Sequence, residues 1–106
     1  MTDLEITKLC AEAMGLTRAT WAHNPKTFVT HCDDEGVDQV FDPLQDDAQA
    51  MALVKKLDME IRNHAEGWRV DTDPFGTLVW AVGSDLNRAI CECVAKMQAA
   101  KAAPHD

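Results

Sequence analysis

Apolar residues recur at three-and-four spacing in three separate stretches of the chain, and between them the pattern switches to alternation, so helices and short strands take turns. Ile6, Leu9, Cys10, Ala13 and Met14 fall on one side of a helix predicted over about 3–14. Thr2 followed by Glu5 has the form of a capping box, and Gly15 with Leu16 behind it suits a left-handed terminus on which the chain folds back. Ala50, Leu53, Val54, Leu57 and Ile61 define a second helical face, predicted over about 46–63 and opening on the acids Asp46 and Asp47. The third is the most sharply patterned. Leu86, Ala89, Ile90, Cys93, Val94 and Met97 share a face, Ser84 stands as the expected cap, and the helix is predicted to run to about Ala100 before Pro104.

Strands fill the intervals. Trp21, Phe28 and Val29 are apolar islands around the turn signal Asn24-Pro25, and strands are predicted near 27–32 and 37–41, flanking the polar break at 33–36. Trp68, Val70 and Thr72 alternate with polar neighbours, and 78–82 (LVWAV) is a compact apolar run; residues 73–76 (DPFG) supply the turn of a β-hairpin. The order α-β-β-α-β-β-α predicts an α+β fold, three helices packed on one small, mainly antiparallel sheet as an α/β sandwich.

At 106 residues the chain makes a single domain, with an ordered core over about 2–100 and a tail at 101–106. No apolar run approaches the length of a membrane span, and acids near the start, Asp3 and Glu5, stand where a secretory leader carries bases. A cytoplasmic location is the expectation. Cys10, Cys32, Cys91 and Cys93 are then expected reduced, three of them inside helices. A net charge of −8 disfavours direct binding to nucleic acid or anionic lipid.

The blocks 41–54 (FDPLQDDAQAMALV), 67–68 (GW) and 86–91 (LNRAIC) occur in an order that resembles the phage ABA sandwich domain family, over about residues 2–100. The resemblance implies a compact α/β sandwich encoded by a phage or prophage, with a bacterial cell as its setting. It carries no established activity and hence no catalytic residue.

Each candidate chemistry has a plainer competitor. His23, His31, Cys32 and Asp33 lie close in sequence and are metal-ligand types, yet paired Cys-x-x-Cys or His-x-x-x-His spacings are absent, and neighbours on a strand face opposite ways. Ordinary loop residues are the preferred reading. A Cys32 nucleophile paired with a histidine would need an oxyanion loop that the sequence does not show. Cys91 and Cys93 sit about 200° apart around a helix, too far to share a metal comfortably, and Cys93 aligns with the core face.

The acids Asp33, Asp34, Glu35, Asp38, Asp42, Asp46 and Asp47 form a negative belt that could imitate a phosphate array and occupy a nucleic-acid-binding protein. Lys55, Lys56, Arg62, Arg69 and Arg88 dilute that field. A solvated loop leading to a helix start explains the belt more simply. Of the tryptophans, Trp80 is expected in the core, Trp68 beside it across the hairpin, and Trp21 at a surface or interface.

The expected function is therefore contact with a host or phage protein, as a small accessory factor with no catalytic, metal or cofactor site. The competing classes are an acidic inhibitor of a nucleic-acid-binding protein and a small enzyme or metal-binding protein using His31 and Cys32. Self-association through a sheet edge is compatible with any of these.

Overall fold

The computed structural model describes residues 2–16, 20–21, 29–32, 38–73 and 78–102. Helix α1 (Asp3–Ala13) begins where Thr2 Oγ1 accepts the Glu5 backbone N–H at 3.1 Å. Past its end, the Leu16 N–H donates to Ala11 O and the Gly15 N–H to Glu12 O, with Gly15 at φ +76°. That is the Schellman geometry anticipated from Gly15 and Leu16.

Strands β1 (Thr20–Trp21), β2 (Val29–Cys32) and β3 (Asp38–Phe41) form an antiparallel sheet in that order. β2 and β3 are the strands anticipated near 27–32 and 37–41, and they pair with Val29 opposite Phe41 and Cys32 opposite Asp38. β1 adds a strand that no periodicity announced, being only two residues long.

Helix α2 (Asp47–Leu57) is capped by the Asp46 carboxylate, which accepts the Gln49 N–H at 3.0 Å. It stops six residues short of the predicted end. Asp58 turns left-handed at φ +51°, Met59 N–H returns to Val54 O, and the chain enters strand β4 (Glu60–His64). Ile61 stands four residues after Leu57 and so imitates a continuing helical face; its burial comes instead from the inward side of a strand.

β4 pairs with β5 (Gly67–Thr72), and β5 with β6 (Val79–Gly83), in a second antiparallel sheet. Residues 74–76 of the anticipated turn lie outside the described residues. The β4–β5 hairpin closes tightly on its neighbour: a Cβ at Gly67 would stand 2.5 Å from Gly83 O, and Gly67 holds φ +129°. Only glycine fits there.

The observed order is α-β-β-β-α-β-β-β-α. The α+β class holds, while in place of the single predicted sheet the described residues form two sheets of three strands. Helix α3 (Leu86–Ala102) joins the parts, packing on β5 and β6 and also against α1 and α2. Its cap is Asp85, one residue later than Ser84: Asp85 Oδ1 accepts the Arg88 N–H. Being covered from more than one side, α3 buries Cys91 and Ala95 as well as Ile90, Cys93, Val94 and Met97.

Cross-links between layers are specific. Thr72 Oγ1 on β5 donates to Leu57 O at the end of α2, and the Cys10 thiol on α1 donates to Cys91 O on α3. Leu53, Val70, Ile90 and Val94 are fully buried where these elements meet. No helix among the described residues is long and apolar enough to cross a membrane.

Candidate interaction surface

Alternation along the second sheet sorts its residues into two faces. Ile61, Val70 and Ala81 stand abreast across β4, β5 and β6 and turn toward α3. The other rows, Glu60–Asp71–Trp80 and Arg62–Arg69–Val82, occupy the opposite face. Trp80 on that face is 48% exposed and Leu78, two residues earlier, 53%. Trp80 is thus not the core residue anticipated. Trp68 pairs with Gly83 while Trp80 pairs with Asp71, so an odd number of residues separates them and they lie on opposite faces rather than stacking.

Two cations hold the indole. The Arg69 guanidinium lies 4.9 Å from the Trp80 ring centroid and the Lys96 ammonium, reaching over from α3, 5.7 Å. Lys96 Nζ also donates to Trp80 O at 3.2 Å. Behind the ring, the Asp71 carboxylate is 8% exposed, with Arg69 Nε at 3.4 Å and Arg62 Nε at 4.0 Å. Arg62 turns its other nitrogen to Glu60 at 2.6 Å, and this pairing with Glu60 raises the Arg62 pKa further. Arg69 Nε itself makes no hydrogen bond. A rigid aromatic is therefore presented between charged heads on an edge strand, next to a depression of about 540 Å³ bordered by Asp58, Asp73 and Leu78.

The sequence-derived candidates fare differently. His31 and Cys32 fall in β2, opposite Gln39 and Asp38, with side chains outside the described residues, as are His23, Asp33, Asp34 and Glu35. Among the described residues no three histidine, cysteine or acidic side chains gather to hold a metal. Cys10, Cys91 and Cys93 are free and buried. Burial raises the Cys93 thiol to about 11, and the Cys10 thiol is raised by its contact with Cys91 and by burial. Such thiols are poor nucleophiles.

In the acidic belt, Asp46 caps α2 and Asp47 Oδ1 accepts from Asn87 Nδ2 at 2.7 Å, so both carboxylates have structural work. Gln49 clamps the approach to α2: its Oε1 accepts the Asp42 N–H and its Nε2 donates to Val40 O. Asp42 is pushed up by burial, then by Asp46 and Asp3, and its Oδ1 has no hydrogen-bond partner. The Trp80 cluster escaped the sequence reading because alternation says which residues share a face and not which face is covered. Its available signal was the charged company of that face: Arg62, Arg69 and Asp71 lie in phase with Trp80 only once β4 is recognised as a strand.

No family model, curated protein or solved structure matches this chain.

Proposed function

We propose that this protein works by protein contact, as a small accessory factor without catalytic activity, and that it docks through the outward face of β4–β6 around Trp80. The observation that carries the reading is a half-exposed indole fixed between Arg69 and Lys96 on an edge strand. Tryptophan and arginine are the residue types that most often dominate binding energy, and here their side chains are ordered before any partner arrives. Covering the exposed half of the indole would recover about 1–2 kcal/mol.

The phage or prophage origin and the bacterial cytoplasmic setting belong to the same proposal and rest on the blocks 41–54, 67–68 and 86–91. Mimicry of nucleic acid draws no support from Asp46 and Asp47, which are engaged within the fold.

The test is photo-crosslinking in bacteria that carry the gene. A benzophenone amino acid at Leu78 should capture one discrete polypeptide, while the same group at Lys55, exposed on α2, should not. Equal adducts from both positions, or none from Leu78, would remove the proposed surface. Turnover in a substrate screen that disappears with His31→Ala or Cys32→Ala would replace the contact reading with an enzymatic one.

A further inference from the structure

We infer that the partner segment seated on this face is an extended acidic peptide that adds as a fourth strand along β6; the inference rests on the docking reading above and specifies its occupant. Among the described residues β6 is the outer strand of the β4-β5-β6 sheet; Cys93 and Lys96 of α3 already donate to Val79 O and Trp80 O, so an incoming strand takes its main-chain bonds from the rest of β6. Leu78 and Trp80, two residues apart and both about half exposed, offer alternate side chains of that strand an apolar shelf.

Charge decides what else the strand carries. Lys96 is exposed and stands at the main chain of β6, with its ammonium on Trp80 O, and Arg69, its side chain one-third exposed, lies over the same ring. A carboxylate arriving beside Trp80 meets both cations at short range. Arg69 is only partly neutralised by Asp71, whose carboxylate it shares with Arg62. The acids Asp58 and Asp73 border the Leu78 end, so the carboxylates belong at the Val82 end of β6, away from them.

Two other occupants fit less well. A second copy joined β6 to β6 would bring Arg69 and Lys96 of each chain toward their own kind, which opposes pairing. Nucleic acid would be repelled by a chain of charge −8 and would find three cations interleaved with Glu60 and Asp71 in place of a basic stripe.

The experiment is fluorescence anisotropy with an end-blocked, fluorescein-labelled decapeptide alternating valine and glutamate, set against the valine–lysine counterpart and an oligothymidylate. The glutamate peptide should bind the full chain saturably at low salt and more weakly at high salt, with no saturable signal from the other two. Lys96→Glu, at an exposed position, should weaken that binding about tenfold while the melting temperature falls by only a few degrees, from the lost contacts with Trp80. Trp80→Ala should abolish it. Equal binding of both peptides, tighter binding of the oligothymidylate, indifference to Lys96→Glu, or no binding at millimolar protein would each overturn the inference. Concentration-dependent dimerisation that the glutamate peptide leaves untouched would hand the edge to a second copy. If Leu78 crosslinks a polypeptide while the glutamate peptide fails, the docking surface stands and its acidic occupant falls.

Discussion

Thr72 and Leu57 are fifteen residues apart in the chain and joined by one hydrogen bond of 3.1 Å, from the threonine hydroxyl to the carbonyl at the end of α2. Helix ends leave carbonyls without intrahelical partners, and this one is satisfied by a side chain of the neighbouring sheet. Thr72→Val keeps the shape and removes the donor from a half-buried acceptor. The expected loss is about 1–2 kcal/mol, seen as a melting temperature lower by roughly 5–15 °C. Thr72→Ser, which keeps the hydroxyl, should retain most of the stability.

Gly67→Ala should be more damaging than its single added methyl suggests. The new Cβ would meet backbone, Gly83 O at 2.5 Å and Ser84 Cα at 2.7 Å, and an alanine would be forced to φ +129°. Because neither obstacle is a flexible side chain, the expected cost is about 2–4 kcal/mol, measurable by urea unfolding.

Trp80→Ala and Val70→Ala should separate surface from core. Val70 is fully buried against α3, and its truncation should cost about 2–3 kcal/mol. Trp80 is half exposed and anchored by two cations, so its removal should cost only about 1 kcal/mol despite the larger side chain. Thermal unfolding of the two variants side by side checks the order.

The thiols of Cys10, Cys91 and Cys93 should resist alkylation in the native protein. All three are buried, and at about pH 8 the Cys93 thiol, raised to about 11, is thiolate in only about one molecule per thousand. Mass spectrometry after iodoacetamide should find these positions unmodified until denaturant is added; rapid labelling of Cys93 in the native state would contradict the packing of α3 on β6.

Asp42 gives the fold a dependence on pH whose sign is opposite to that of an ion-paired acid. Its folded-state pKa is raised, by burial first and then by Asp46 and Asp3, so the folded chain favours the protonated form. The contribution of this group to stability is fullest below the unfolded value and is lost as pH rises through the folded one. Asp42→Asn should therefore raise the urea midpoint at about pH 7 and leave it nearly unchanged at about pH 3. The Gln49 clamp survives that substitution, since it grips the Asp42 main chain.

The helices were legible because each carries a signal of its own, Thr2 and Gly15 at the two ends of α1, Asp46 at the start of α2, and the spacing from Leu86 to Met97 in α3, whereas the end of α2 and the cap of α3 were not. What escaped was decided by partners distant in sequence. Ile61 satisfies helical spacing and strand burial equally well, and only its pairing with Val70 tells them apart. Cys91 lies off the apolar stripe of α3 and is nevertheless fully buried, because α1 comes to cover it. Trp80 reads as core by composition, and its exposure follows from the phase of β6 against β5. The binding surface was invisible for the same reason, since it consists of residues from three strands and a helix that meet only in the folded chain.

Helix α3 touches α1, α2 and the second sheet alike, yet it is the last of these elements to leave the ribosome. Cys10, Leu53 and Val70 are synthesised well before the surface that shields them from water exists. Nascent chains halted ahead of Leu86 would expose these apolar stripes, making them natural clients for holding chaperones.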